Sequence, residues 1–235
     1  MSPSKSAFIA GIKAISPILL GVIPFAIISG ITAVKAGISE MLALFMSIAV
    51  FAGAAQLAAA QLIGLHAPVL IIVLTAFIIN LRFFMYSASI SSYFKSLPFK
   101  WRALFAYLLT DQAYAASIIR FNDNNDDEKN NHSFYFGAAI TLWIIWQIGT
   151  AAGVFLGTKI PESWALDFAV PLTFMALVVP AIKDKASIIA AIAAGFSAVI
   201  FADFPYNLNI IISAIIGIMA GFITELINER KTKKK

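Results

Sequence analysis

Two residues of opposite charge lie inside long apolar runs of this chain. Arg82 occupies the middle of a run from about residue 68 to 93, and Asp111 occupies the middle of the next run. A charge at bilayer depth costs about 2.5–3.5 kcal/mol on the scale derived from membrane insertion, and such charges are usually functional. The pair predicts either a binding site or a structural ion pair. In a binding site, Arg82 would hold a carboxylate, and Asp111 would hold an ammonium group or carry a coupled proton.

The turn between these two runs predicts that both charges lie at the same depth. It is centred near Pro98, with Arg82 about 13 residues before Lys95 and Asp111 about 11 residues after Lys100. With a rise of ~1.5 Å per helical residue, both charges lie ~16–20 Å from that interface. We expect two sequential, antiparallel helices that bring the two side chains together.

Polar side chains extend the same helix faces. Tyr86 follows the arginine by four residues, and Tyr114 follows the aspartate by three, so each shares the face of its charge. Asn80 and Thr110 add hydrogen-bonding groups beside the two charges. A single residue of this kind could equally serve only as a hydrogen bond between helices.

Two residues of earlier segments complete the predicted substrate site. Gln56 lies deep in the second apolar run and either lines a polar cavity or bonds a neighbouring helix. Pro24 lies inside the first run, where it either breaks the helix and frees a backbone carbonyl or produces a passive kink. The predicted substrate-binding residues are Arg82, Asp111, Asn80, Gln56, Thr110, Tyr114, Tyr86 and Pro24, with Asp111 also the candidate for proton coupling.

The composition predicts an all-α, polytopic membrane protein. Hydrophobic residues form 60% of the 235 residues and charged residues only 12%, about half the usual charged share. Several apolar runs reach the ~20 residues needed to cross a bilayer. We predict one integral membrane transport domain over residues 1–235 that ends in a basic cytoplasmic tail at 228–235. About eight hydrophobic segments are predicted, at 8–34, 40–64, 67–94, 100–120, 133–158, 165–182, 186–203 and 206–227.

The basic residues predict orientation rather than nucleic-acid binding, because much of the net charge of +5 lies in the tail. With eight spans and the N-terminus inside, eleven Lys and Arg fall on the cytoplasmic side and five on the outer side. This count favours both termini in the cytoplasm of a bacterial plasma-membrane protein. The cluster Lys95, Lys100 and Arg102 opposes it, unless two short or Pro-broken segments are re-entrant and move that turn inside.

A weak similarity links the two ends of the chain. The first segment carries Val22-Ile23-Pro24-Phe25, and the sixth carries Val170-Pro171-Leu172-Thr173-Phe174. Segments three and eight each begin with a proline, Pro68 and Pro205, after a very short connection. If segments 1–3 correspond to 6–8, the halves have inverted topology. Inverted repeats with broken helices are common in secondary transporters.

Glycines at four-residue spacing predict helix-packing faces. Gly149, Gly153 and Gly157 form one stripe, and Gly217 and Gly221 form another. Small residues at this spacing let helix backbones approach closely.

Several chemistries are not expected. Cysteine is absent, and His66 and His132 have no second ligand at metal-site spacing, so neither a metal nor a cofactor is expected. The phosphate-binding G-x-x-x-x-G-K-[ST], the zinc-binding H-E-x-x-H and the nucleophile motif G-x-S-x-G do not occur. An enzyme of these classes is therefore not expected. The intramembrane charges and the possible inverted repeat with broken helices favour a transporter. A channel, or a structural subunit whose partner carries the site, is the alternative.

Five motifs in order resemble the AzlC family. They are Gly21-Val22-Ile23-Pro24-Phe25, Phe51-Ala52-Gly53-Ala54-Ala55-Gln56, Ala67-Pro68, Asn80-Leu81-Arg82-Phe83-Phe84-Met85-Tyr86 and Leu109-Thr110-Asp111-Gln112-Ala113-Tyr114-Ala115. The resemblance is strong in the first half and rests mainly on residues 166–171 in the second. It implies the large subunit of a bacterial exporter of branched-chain amino acids, with a separate small membrane partner of the AzlD type.

The chain departs from the family pattern at two positions. Phe83 stands where a histidine is expected after Asn-x-Arg, and Ala26 stands where the family favours glycine. The first change removes a titratable group and leaves Asp111 as the proton-coupling candidate. The second predicts a stiffer first segment.

Overall fold

The computed structural model describes residues 4–123, 130–157, 182, 184–204 and 208–232, and every regular element in these residues is a helix. The helices are α1 Lys5–Ile15, α2 Leu19–Lys35, α3 Glu40–Val50, α4 Gly53–Gly64, α5 Val69–Asn80, α6 Arg82–Ile90, α7 Phe99–Tyr107, α8 Asp111–Asp123, α9 Asn131–Gly157, α10 Lys185–Ile200 and α11 Leu208–Thr232. Short 3-10 turns at Ser16–Ile18 and Ser91–Phe94 continue α1 into α2 and extend α6.

Four helical stretches of the described chain are long and apolar enough to cross a membrane. They are Lys5–Lys35, Val69–Phe94, Asn131–Gly157 and Leu208–Asn228. The chain is therefore a helical membrane protein, as its composition predicts, but the count of eight segments is not confirmed. Segment six (165–182), with Pro171, lies outside the described residues, and so the inverted repeat stays a prediction.

The chain divides into two compact units, of which the first holds both charges. This unit comprises Met1–Gln61 with Ala76–Pro161, and the second comprises Leu62–Thr75 with Glu162–Lys235. In the second unit α10 packs on α11, where a Cβ on Gly217 would lie 2.8 Å from the Cβ of Ala194. That close approach fits the packing role predicted for the second glycine pair. The prediction of one membrane transport domain stays a prediction.

The glycine stripe of α9 forms the core of the first unit. The α1–α2 stretch and α9 run parallel, since Gly137 faces Phe8 near their starts and Gly157 faces Ile31 near their ends. Gly153 lies directly against the backbone of Ile27, so even a methyl group would not fit. The predicted packing role of this stripe is confirmed, because the absent side chains let the two long helices touch backbone to backbone.

The helix does not break at Pro24, where a break was one prediction. Helix α2 continues through Pro24, whose side chain is exposed. The irregular turn comes earlier, at Ser16–Ile18. On the opposite, buried face of α2, the methyl group of Ala26 packs against Gly149, where a Cβ would lie only 2.6 Å away. The extra methyl of Ala26 therefore fills a place that Gly149 leaves open.

The predicted fourth segment, 100–120, is not one straight span. Helix α7 ends at Tyr107, and α8 begins at Asp111 and returns toward the end from which α7 came. The return is visible in the pairing with α6 and its 3-10 extension, where Arg82 meets Asp111 and Tyr93 meets Phe121 and Asn122. Helices α6 and α8 are therefore parallel, and the expectation of antiparallel helices is wrong. The α7–α8 segment forms a helical hairpin that enters and leaves at one end of the unit.

The hairpin places the turn around Pro98 at the same end as the N-terminus. Ser96, Leu97 and Pro98 share a pocket with Ser133 at the start of α9, and the backbone N–H of Ser4 donates to the hydroxyl of Ser133 at 3.1 Å. The basic turn therefore does not lie opposite the N-terminus, as the eight-span count required. The re-entrant alternative fits this position, and the placement of the turn on the cytoplasmic side stays a prediction.

Candidate functional site

Arg82 lies at the centre of a membrane-crossing stretch. In Val69–Phe94, thirteen residues precede it (82 − 69) and twelve follow it (94 − 82). A tight turn at Leu81, whose N–H donates to the carbonyl of Ile78 at 3.2 Å, separates α5 from α6. Arg82 is thus the first residue of α6, at the middle of a stretch long enough to cross a membrane and beside a local interruption of the helix.

Asp111 is the first residue of the returning arm of the hairpin. Three residues, 108–110, separate α7 from α8, and the Thr110 hydroxyl caps the new helix by accepting from the N–H of Ala113 at 3.2 Å. A carboxylate in the first turn of a helix is favoured by the partial positive charge of the helix N-terminus. The predicted site residue Thr110 therefore orients Asp111 through the backbone.

The two charges form a direct ion pair. Nη2 of Arg82 lies 3.1 Å from Oδ2 of Asp111, and the side chains are 34% and 35% exposed. The other carboxylate oxygen, Oδ1 of Asp111, and Nε of Arg82 are buried and have no hydrogen-bond partner within the described chain. The two predicted charges therefore contact each other directly, and Oδ1 of Asp111 and Nε of Arg82 remain as further hydrogen-bonding atoms.

Two tyrosines lie beside the ion pair. The rings of Tyr86 and Tyr114 stack with their centroids 4.5 Å apart and their planes at 15°. The hydroxyl of Tyr114 is within 3.0 Å of the hydroxyl of Ser89. The hydroxyl of Tyr86 is close enough to Arg82 and Asp111 to interact electrostatically with both. The structure thus brings four predicted site residues together on the facing sides of α6 and α8.

The ring of Phe83 lies beside Arg82, at the position where the sequence resemblance leads us to expect a histidine. The guanidinium carbon of Arg82 is 5.4 Å from the centroid of this ring, within the range of a cation–π contact. The contact can position the guanidinium but cannot exchange a proton. Asp111 therefore stays the predicted residue for proton coupling.

The remaining predicted residues are not joined to the ion pair. Gln56 is 1% exposed, and neither its amide oxygen nor its amide nitrogen has a hydrogen-bond partner in the residues that the structure describes. The side-chain oxygen of Asn80, at the end of α5, is likewise buried and unpartnered there. No hydrogen bond, ring contact or ion pair of the described chain links Gln56 or Pro24 to the pair.

A second helix interruption lies next to the hairpin. Helix α3 ends at Val50, and Phe51 adopts a positive φ of 28°, a strained conformation for a bulky residue. The hydroxyl of Tyr107, at the end of α7, donates to the Ile48 carbonyl at 2.6 Å and accepts from Nε1 of Trp143 at 2.8 Å. The side chain of Tyr107 therefore links the end of α3 to the break between α7 and α8.

Tyr107 lies four residues before Asp111, at helical spacing, but is not among the predicted substrate-binding residues. The helix breaks between the two residues, so Tyr107 contacts Ile48 and Trp143 instead of sharing the face of Asp111. The side chains of Ser47 and Gln147, which hydrogen-bond at 3.0 Å between α3 and α9, were not selected from the sequence either. In the sequence, these residues are recognisable only as polar residues inside apolar runs. Many polar residues in such runs simply bond one helix to another.

Removing the Tyr107 hydroxyl should destabilise this junction. In Tyr107→Phe, the Ile48 carbonyl and the Trp143 N–H both lose the hydroxyl that joins them. For two hydrogen bonds we expect a loss of about 1–3 kcal/mol in unfolding free energy. Thermal unfolding of the purified protein measures it. Tyr93→Phe is the matched control, because its hydroxyl bonds only the exposed Asn122 at 3.2 Å. Equal losses in both variants would contradict this role.

Comparison with known proteins covers the region that contains the site. The family model described as AzlC protein matches residues 17–160. Inner membrane protein YgaZ of Escherichia coli K12 is 27% identical over 234 residues, which is 96% of this chain and 92% of that protein. An uncharacterised membrane protein of Archaeoglobus fulgidus is 31% identical over 206 residues, covering 85% of this chain and 87% of its own length. No solved structure matches the chain. The matched residues include the ion pair and the helix breaks near Phe51, at Leu81 and at 108–110, and the chain belongs to the AzlC family.

Proposed function

We propose that this protein is a secondary transporter that exports neutral, branched aliphatic amino acids across the bacterial plasma membrane. The observation that carries the proposal is the Arg82–Asp111 ion pair, which lies at mid-depth, is about one-third exposed and retains unused hydrogen-bonding atoms. Discontinuous helices around a midplane site are typical of secondary transporters. Intramembrane charges of this kind mark substrate or ion pathways.

The two charges match the two ends of a zwitterion. An amino acid that enters between them can exchange one ion pair for two, with its carboxylate on Arg82 and its ammonium on Asp111. The total charge of the site is unchanged, because the ligand is neutral overall. A ligand with a single charge would leave either the guanidinium or the carboxylate uncompensated, which is costly in a desolvated site.

The empty site can close on itself. When no substrate is present, the direct pair at 3.1 Å neutralises both groups, so the unloaded carrier does not need to move an isolated charge. Asp111 could alternatively release Arg82 by taking up a coupled proton. In this mechanism Tyr86 and Tyr114 form one wall. Thr110 caps the helix that begins at Asp111, and Asn80 adds a polar group at the turn before Arg82.

The basic end of the first unit is the proposed cytoplasmic end. The residues at the end that holds the N-terminus and the Pro98 turn include Lys5, Lys95, Lys100 and Arg102, whereas Lys35 lies at the far end of α2. Lys and Arg favour the cytoplasmic side of short connections. The basic tail that begins after residue 227 favours the same side for the C-terminus.

A small AzlD-type membrane protein is the proposed partner. In the alternative function, this chain is a channel or a structural subunit and the partner carries the substrate site. The exposed apolar side chains of the helices could face either lipid or such a partner.

Transport by the purified chain in liposomes, alone and with the partner, tests the proposal. We expect labelled leucine and valine to move with saturable kinetics. Two leucine analogues, one lacking the ammonium and one lacking the carboxylate, should move at least about 100-fold more slowly because each leaves one charge unpaired. Flux that does not saturate indicates a channel. Equal transport of leucine and its singly charged analogues overturns the zwitterion site.

A further inference from the structure

A second cavity, separate from the ion pair, lies between α6 and α7. It has a volume of about 560 Å³ and is bounded by one face of α6 with its extension, including Ile90 and Phe94, and by one face of α7, including Ala106. We call this cavity the basic wedge. The helix α8 and the Arg82–Asp111 pair lie on a different face of α6, so the wedge is not the proposed substrate site.

The wedge combines two cations with an apolar interior. Lys95 and Arg102 line it, together with the hydroxyls of Ser87 and Ser91. No carboxylate lines it, and neither cation forms an ion pair or a hydrogen bond with any residue that the structure describes. A ligand with a negative head and an apolar tail complements this arrangement, whereas a zwitterion would find no partner for its ammonium group.

We propose that the basic wedge binds an anionic phospholipid, with the headgroup phosphate on Lys95 and Arg102 and part of an acyl chain along α6 and α7. Basic pockets between membrane helices commonly bind anionic headgroups. The wedge has room for about 19 water-sized groups, far more than a phosphate alone occupies. The cavity continues to Leu109, beside the start of the returning helix.

The position in the membrane also favours a lipid. Lys95 follows the last turn of a crossing stretch, and Trp101 on the next helix is 39% exposed. Aromatic and basic side chains are typical of the headgroup level. Ser91 and Ala103, on opposite walls, are exposed, so the wedge opens sideways, where a lipid can enter from the bilayer.

Lipid-dependent stability of the full chain tests this site. The purified protein in neutral detergent receives phosphatidylglycerol, phosphatidylcholine with the same acyl chains, or soluble glycerol 1-phosphate. We expect phosphatidylglycerol alone to raise the melting temperature. The double variant Lys95→Gln/Arg102→Gln should weaken its apparent affinity by about 30-fold, the effect of two cations near a lipid surface.

A control variant removes two positive charges, as the first double variant does, from the same end of the first unit. Lys5→Gln/Lys100→Gln loses two exposed cations that do not line the wedge, and it should keep the affinity of the unmodified protein. Equal losses in both double variants would mean diffuse surface attraction and overturn the proposal. Stabilisation by glycerol 1-phosphate to the same extent would identify a soluble-anion site instead and would also overturn it.

A wedge-filling variant covers the case in which the first double variant does not fold. Ala106→Phe keeps both cations but occupies the apolar part of the cavity, and it should lower the phosphatidylglycerol affinity while leaving any response to glycerol 1-phosphate unchanged. Undiminished lipid affinity in this variant would contradict the acyl-chain placement. Neither readout depends on amino-acid transport, so the lipid site and the proposed function can fail separately.

Discussion

Neutralising either member of the Arg82–Asp111 pair should lower leucine transport by about 100-fold or more, because the remaining charge is left without a partner at mid-depth. The variants are Arg82→Gln and Asp111→Asn. Each should also lose stability, but less than the ~3–5 kcal/mol known for fully buried pairs, since both side chains are about one-third exposed. Transport in liposomes and thermal unfolding measure the two effects.

The double variant separates binding from structure. Arg82→Gln/Asp111→Asn removes both charges, so its stability should recover toward that of the unmodified protein, whereas transport should remain low because no group holds the zwitterion. Lys100→Gln, which removes one exposed cation, is the control and should leave both properties unchanged. If the double variant regained transport together with stability, the pair would be purely structural.

Replacing Gly30 by alanine should be among the most damaging small substitutions in this protein. A Cβ at this position would meet the backbone carbonyl of Thr150 and lie 2.7 Å from the backbone N of Val154. Backbone atoms cannot rotate away, so α2 and α9 must separate. We expect a loss greater than about 3 kcal/mol, above the usual 1–3 kcal/mol for overpacking, or failure of the protein to accumulate.

Gly21 provides a matched control in the same helix. A Cβ there has nothing within 4 Å, so Gly21→Ala should be neutral or should stabilise by about 0.4–1 kcal/mol through helix propensity and chain entropy. Accumulation in the membrane and thermal unfolding distinguish the two variants. Similar behaviour of Gly30→Ala and Gly21→Ala would show that the close approach of α2 and α9 does not limit stability.

The glycine result illustrates which long-range contacts could be predicted from sequence. Gly149, Gly153 and Gly157 have regular helical spacing, and their only plausible structural use in an apolar helix is close packing. The same spacing does not identify the partner helix. The glycine stripe of α9 packs on α2, and the two helices run parallel. Both facts depend on how many of the intervening segments cross the membrane and how many return.

The candidate site shows a similar division. Arg82 and Asp111 could be selected because isolated charges in apolar runs are costly, and their common depth followed from their distances to one turn. Their direct contact and the stacking of Tyr86 on Tyr114 required the arrangement of α6 beside α8. Gln56 was equally conspicuous in sequence, yet its side chain is buried without a partner in the described residues.

The sequence by itself determined that this is a helical membrane protein, that two charges lie at mid-depth and that glycine faces join its helices. These properties follow from composition and local spacing, since burying charge or bringing backbones together has a large energetic effect in any arrangement. Only the tertiary structure decided that residues 99–123 form a hairpin. An apolar run of that length fits one crossing as well as two short arms, and its break at 108–110 contains neither proline nor glycine. Two contacts hold this break. Thr110 caps the returning helix locally, and Asp111 meets Arg82, a contact that exists only after α6 and α8 have packed.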